Sequence, residues 1–229
     1  MIIVSIETSS QRGSVAIKAD GQIHEAALPL GEPHSSTLLP AVEELLNKSR
    51  VSKEQVEALA VGTGPGAFTG LRVGLATAKG WADAAGIKIA PVPSLCALAF
   101  PQLIRGLDVL TISDARKGEV YAAYFPGLGP SGLPEAYQGP VLLSASDFSG
   151  WLDSLVTGEN TVVVGTGMEI LGDKLAKRPE LDLTQDLNPY PEARIVARIG
   201  EIIFALGRSI KTVDLIPCYV RPPDASLPG

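Results

Sequence analysis

The stretch GTGPGAFTGLRVG, Gly62 to Gly74, places five glycines and a proline in thirteen residues directly after the apolar run ALAV. Glycine turns that follow strands often cradle phosphates on free backbone amides. This one has no lysine followed by Ser or Thr at the end of a GxxxxG spacing, so it is not a Walker loop. GTGPGA does match GxGxxA, but Pro65 lies inside the turn. The only acid about twenty residues on, Asp83, falls within the next helical pattern, not at the strand end where a ribose would need it. A second candidate, DARKGEVY from Asp114 to Tyr121, sets an acid and a base at a strand end and turn. It reads either as a surface ion pair worth under about 1 kcal/mol or as an arginine held for a phosphate, whose oxygens suit its planar fork.

SIETSS, Ser5 to Ser10, ends a strand with an acid and hydroxyls, the place where an actin-like ATPase would hold its metal-bound phosphate. Glu7 is longer than the aspartate usual there, and no glycine follows until Gly13. The two histidines, His24 and His34, form neither HExxH nor an i, i+4 pair, so a metal site built from histidines is not expected. His24 reads as a strand residue, and His34 as a cap or a site residue. No serine is flanked as GxSxG. The two cysteines, Cys96 and Cys218, form no CxxC and have no base nearby in sequence, so a nucleophilic enzyme is not indicated.

Several elements must position these residues. MIIVSIE reads as a first strand, and Asp20-Gly21 separates two further strand-like runs as a hairpin turn. HSSTLLPAVEELLNKS has apolar residues at 38, 39, 42, 45 and 46, one helix face, with serines and a threonine suited to capping and Pro40 placed in its first turn. VEALAVG reads as a buried strand, followed by a helix from about Thr69 to Ala85, the strand IKIAPV and a helix from near Ser94. PEARIVARIGEIIFALGR forms a last amphipathic helix opening on Pro191 and Glu192. The tail DLIPCYVRPPDASLPG is too rich in proline to be helical and is expected to run extended over the surface.

The second half repeats the first. VGTG occurs at Val61 to Gly64 and again at Val164 to Gly167, and RGSVA at Arg12 to Ala16 pairs with KGEVY at Lys117 to Tyr121. The two offsets nearly agree, and each pair sits at the same place relative to its strands, which implies a duplicated α/β unit. The expected division is 1–106 for an N-terminal lobe and 107–229 for a C-terminal lobe that carries the final helix and the proline-rich tail. PGLGPSGLPEAYQGP is a long turn within the second half.

The chain has 229 residues, 45% of them hydrophobic, with a mean hydropathy of +0.22, enough for a core without staples. A net charge of −6 argues against autonomous nucleic-acid binding. The opening apolar run is only five residues long and has no basic region before it, so neither a signal peptide nor a membrane span is expected. A reduced, cytoplasmic setting is the simple reading. In the helix after the glycine loop, Gly70, Gly74, Ala78 and Ala82 form one small stripe, and Ala76, Gly80 and Ala84 a second beside it. Each interior glycine costs on the order of 1 kcal/mol against alanine, a cost that close approach of another backbone would offset. One stripe reads as a sheet contact, the other as a seat for a helix of this or another chain.

IETSSQRGSVAI, HSSTLLPAVEELL, VGTGPGAFTGLRVG, DARKGEVYAAY and PCYVRPPDA, in this order, resemble the TsaB (YeaZ) family over nearly the whole chain. The resemblance implies a duplicated ribonuclease-H-like, actin-like α/β fold of two lobes, each a mixed sheet flanked by helices. It implies a non-catalytic subunit that activates TsaD, the enzyme that transfers threonylcarbamoyl to the N6 of adenosine next to the anticodon of ANN-reading tRNAs. A TsaE-type ATPase would couple hydrolysis to turnover, and a TsaC-type enzyme would make the threonylcarbamoyl-adenylate. TsaD holds a metal with two histidines four apart; here His34 is followed by Leu38, so that pair is missing. The family's interface helices correspond to His34, Leu38, Leu39, Val42, Leu45 and Leu46, and to Gly70, Leu71, Val73, Gly74, Thr77, Ala78 and Trp81. They would bundle with TsaD or, in isolation, with a second copy of the chain. Arg116 corresponds to a position that reaches an adenine nucleotide, ATP or ADP, at the subunit interface, with no cofactor on the chain alone and tRNA touched only through the partners. A free-standing ATPase or kinase of the same superfamily is the alternative, with a peptidase behind it.

Overall fold

A computed structural model describes residues 1–155, 161–183 and 187–221. Its element order is the same eight-element run twice. The first is β1 (Ile3–Glu7), β2 (Ser14–Ala19), β3 (Gln22–Ala27), α1 (His34–Ser49), β4 (Ala58–Gly62), α2 (Phe68–Ala85), β5 (Ile89–Val92) and α3 (Ser94–Leu103). The second is β6 (Val109–Arg116), β7 (Glu119–Phe125), β8 (Gln138–Ser144), α4 (Ala145–Asp153), β9 (Thr161–Val164), α5 (Met168–Ala176), β10 (Leu181–Asp182) and α6 (Ala193–Ala205). The sheets have matching orders, β3-β2-β1-β4-β5 and β8-β7-β6-β9-β10. In each, the first strand pairs antiparallel with the second and parallel with the fourth. This is a duplicated ribonuclease-H-like fold in two lobes.

The repeated motifs occupy equivalent places. Both copies of VGTG leave the fourth strand of their sheet, and RGSVA and KGEVY lead into the second strand. Asp20 and Gly21 both take positive φ and join Ala19 to its partner Gln22, as a two-residue hairpin turn requires.

The helices form layers around the two sheets. Val4, Ile6, Val15, Ile17, Leu59 and Val61 turn one face of the first sheet to α1 and α2, where Leu38, Val42, Leu45, Leu75, Ala78 and Ala82 meet them. Ile3, Ala58, Ala60, Ala90 and Val92 turn the other face to Ile195, Val196, Ile199 and Ile203 of α6. The second sheet buries Leu110, Ile112, Val120 and Tyr124 under α4 and α5, and Val109, Tyr121, Ala123 and Phe125 under Leu95, Leu98, Ala99 and Leu103 of α3. The last helix of each half therefore covers the sheet of the other lobe, and α3 and α6 pack against one another between the lobes.

That exchange corrects the expected division of the chain. The final helix belongs by packing to the first sheet, and α3, inside 1–106, belongs to the second. Ser5 Oγ donates to the Ala193 carbonyl at 2.7 Å and the Ala193 amide to Ser14 Oγ at 2.8 Å, fixing the start of α6 to β1 and β2. The tail also returns to the first lobe: Ile210 exchanges backbone bonds with Ile89 of β5, and the Cys218 amide donates to the Thr63 carbonyl at 2.8 Å.

Two helix starts differ from the expectation. α1 begins at His34 after Pro33, and Ser36 and Thr37, inside its first turn, donate back to the Pro33 carbonyl instead of capping amides. Pro40 lies in the second turn, where its missing amide leaves the Ser36 carbonyl without the usual helical donor. α6 starts after Glu192, so Pro191 and Glu192 precede the helix.

Candidate functional site

The segment leaving β1 organises the site. Glu7 is fully buried, and its carboxylate accepts from the Ser9 amide at 2.7 Å and from Ser94 Oγ at 2.9 Å. Ser94 Oγ in turn accepts from the Gly64 amide at 3.1 Å, and the Ser94 amide donates to the Gly64 carbonyl at 2.7 Å. Burial pushes the Glu7 carboxyl above its ordinary range, against the bonds from Ser9 and Ser94 that pull it down. Glu7 is thus a strut that ties β1, the glycine loop and α3 together, and it faces no solvent.

The glycines follow from the same strut. A Cβ at Gly62 would run into the Glu7 carboxylate, and one at Gly74 would run into Thr8 Oγ1. Thr8 Oγ1 donates to the Gly70 carbonyl at 2.9 Å, so the first turns of α2 lie directly on the chain leaving β1. The loop is glycine-rich because it packs inward.

His34 joins the same knot. Its Nε2 bonds the Ser10 carbonyl at 2.9 Å, and its ring lies between Gly13 and Gly70. His34 is half-buried and braces the turn after β1 from the start of α1.

The other expected interface residues divide by face. Leu38, Val42, Leu45, Leu71 and Ala78 are at most 5% exposed and pack within the chain, as does Gly74. They are core residues, because the first small stripe of α2 and the main apolar stripe of α1 meet the sheet. Leu39 is 59% exposed, while Leu46, Val73, Thr77 and Trp81 are half-buried. The second small stripe, Ala76, Gly80 and Ala84, is exposed, and a Cβ at Gly80 would meet nothing within 4 Å. The outward face of α1 and α2 is thus apolar at its edges and flat along α2.

Between the lobes lies a cleft of about 580 Å³, within the range of small-molecule sites. It lies where the exits of β1 and β6 converge, and Ser9 and Ser10 face Asp114 to Lys117 across it. Two segments cross from lobe to lobe at its sides. Tyr190, in the run leading to α6, accepts from Gln11 Nε2 at 2.9 Å. On the tail, Arg221 Nη2 donates to the Ala115 carbonyl at 2.9 Å and also pairs with Glu119. Tyr219 stacks on Phe68 with centroids 5.4 Å apart, and Arg72 covers Phe68 with its guanidinium carbon 3.7 Å from the ring centroid. Sequence reasoning missed this tail contribution, since nothing local in an extended segment says which groove it follows.

DARKGEVY forms the β6–β7 turn, with Arg116, Lys117 and Gly118 all at positive φ. Asp114 accepts from the Arg116 amide at 2.6 Å and lies 3.8 Å from its guanidinium. The side chain of Arg116 is 71% exposed and reaches the rim of the cleft.

Comparison with known proteins decides the family. The chain is 31% identical over 223 residues to the tRNA threonylcarbamoyladenosine biosynthesis protein TsaB of Escherichia coli, covering 96% of this chain and 95% of that protein. This chain belongs to the TsaB family. The TsaB protein of Bacillus subtilis is 30% identical over 235 residues, covering 96% of this chain and 94% of its own length. The solved structure of YeaZ from Pseudomonas aeruginosa superimposes with a TM-score of 0.79 at 25% identity, covering 95% of this chain and 99% of the other. Residues 30–131 also match the family described as TsaD: tRNA N6-adenosine threonylcarbamoyltransferase. Among the described residues, no helix is long and apolar enough to cross a membrane.

Proposed function

We propose that this TsaB-family chain acts in the biosynthesis of tRNA threonylcarbamoyladenosine as a non-catalytic subunit that docks on a TsaD-type transferase and activates it. The observation that carries the docking is the outward side of α1 and α2, where Leu39 of α1 is exposed and Ala76 and Gly80 leave a flat exposed strip along α2. A flat strip lets a second helix approach closely, and apolar edges supply the burial that holds it. The non-catalytic role is supported by His34 and Leu38: the histidine is tied to Ser10, and the residue four on is buried leucine.

ATP or ADP would sit at the boundary with the partner, where exposed Arg116 offers a guanidinium to a phosphate. A TsaE-type ATPase would act on the assembled pair, and tRNA would be held by the partners. Without TsaD the same face would pair two copies of the chain.

Mixing the chain with the TsaD of the same organism, with and without ATP, tests this by light scattering and by threonylcarbamoyl transfer to tRNA. The expected result is a stable complex that is active where neither subunit alone is. Gly80→Glu should remain folded and lose the complex. Failure to form any complex, together with ATP hydrolysis by the lone chain, would overturn the reading in favour of a kinase-like ATPase.

A further inference from the structure

From Thr212 onward the tail follows α2 from its last turn to its first. Thr212 Oγ1 donates to Asp83, Leu215 is buried in the core of the first lobe, and at the far end Arg72 Nε donates to Tyr219 Oη at 3.4 Å. Tyr219 stacks on Phe68, the first residue of α2, and Arg72 covers the same ring. The Cys218 amide is bonded to Thr63, at the exit of β4. Two residues on, the chain has changed lobes. Val220 packs against the second-lobe cluster that holds Val109 and Tyr121, and Arg221 donates to the Ala115 carbonyl while pairing with Glu119. Ala115 and Glu119 stand on opposite sides of the β6–β7 turn, so one guanidinium spans it.

That turn needs holding. Arg116 and Lys117 take φ of 66° and 57°, ahead of Gly118 at 75°. Residues with a Cβ adopt this region reluctantly, and a run of them persists only where the surroundings impose it. Asp114 braces the turn from within, through the Arg116 amide, and Arg221 braces it from outside.

We propose that residues 218–221 are a latch on the β6–β7 turn whose grip is set from the first turns of α2, through Arg72 and Tyr219. The latch gives the docking surface proposed above a route to Arg116, because a partner seated over Phe68 and Arg72 would tighten the turn that carries it. That consequence rests on the docking reading, whereas the latch belongs to the lone chain.

Hydrogen exchange of the lone full chain, followed by mass spectrometry over residues 115–120, tests it. Arg221→Ala should speed exchange there about ten-fold, the effect of losing charge-assisted bonds that close the turn. Arg72→Ala changes only a side chain of the first lobe, yet should speed it about three-fold, as expected for one exposed contact relayed through Tyr219. The double variant should match Arg221→Ala alone, since the two residues act in series. The β2–β3 turn lies at the opposite edge of the first sheet from β5, where the tail pairs, and should keep the parent's rate in every variant. Arg72 is on the surface, so its variant should also keep the parent's thermal transition. Failure of TsaD to associate would overturn the docking reading and leave these rates as they are. The latch is overturned if either single variant exchanges like the parent over 115–120, if the two effects multiply in the double variant, or if the β2–β3 turn speeds up equally.

Discussion

Gly74 and Gly80 lie on the same helix six residues apart, and their substitution by alanine should move stability in opposite directions. At Gly80 a Cβ would enter open space, so Gly80→Ala should gain the helix-propensity difference of about 0.5–1 kcal/mol. At Gly74 the same gain meets two costs. The new methyl would run into Thr8 Oγ1, with Ile6 Cγ2 at 3.3 Å behind it, and overpacking of this kind costs about 1–3 kcal/mol. Moving Thr8 also weakens its bond to the Gly70 carbonyl, worth about 1 kcal/mol. The net expectation is a loss of about 1–3 kcal/mol for Gly74→Ala. Urea denaturation of the lone chain, followed by circular dichroism, reads both. A Gly74→Ala variant as stable as the parent would refute the claim that this stripe packs on the chain leaving β1. A Gly80→Ala variant destabilised by more than about 1 kcal/mol would show that its face is covered within the chain.

Other side chains give independent checks. Leu38→Ala should cost about 2–5 kcal/mol because it opens a cavity under α1, whereas Leu39→Asp should stay within about 0.5 kcal/mol of the parent and still abolish binding to TsaD; equal effects in urea melts would contradict the two faces. Glu7 has a folded-state pKa raised above its ordinary 4.5, so its contribution to stability is present at acid pH and lost as pH rises through the folded value. The melting temperature of Glu7→Gln relative to the parent should therefore rise from about pH 5 to about pH 8, and a difference independent of pH would show that Glu7 is ionised throughout. Burial pushes the Cys96 thiol up to about 12 and raises that of Cys218 as well. Cys96 should react slowly with a thiol reagent at neutral pH in the native protein and fully only when it is unfolded; rapid labelling of Cys96 would show an open site.

The duplication was legible because its signals are local. Strand exits need the same small residues wherever they occur, so VGTG and the RGSVA/KGEVY pair survive at matching positions. The Asp20-Gly21 turn was legible for the same reason, since Asp-Gly suits the positive φ that a two-residue hairpin turn takes at both positions. The faces of α1 were only partly legible: its apolar positions include both Leu38 in the core and Leu39 on the outside, and periodicity cannot tell a wide core stripe from a core stripe beside an interface. The destination of α6 was not legible at all. Its amphipathic pattern says that one side is buried, but its start is bonded to the first sheet by Ser5 and Ser14, 188 and 179 residues away.

The exchange of α3 and α6 between the sheets makes the two halves mutually dependent. A polypeptide ending at Gly106 would retain the first sheet but expose the apolar face that α6 covers, and it would carry α3 with nothing to cover. The complementary piece would have the reverse defect. Each fragment should be insoluble or molten when made separately, and the two made together should associate without a linker into a particle that melts as one. The ancestral repeat, before it was joined in tandem, could have met the same need by trading its last helix with an identical neighbour. In that view the present chain is an obligate dimer fused end to end, and its central cleft is the seam of that dimer.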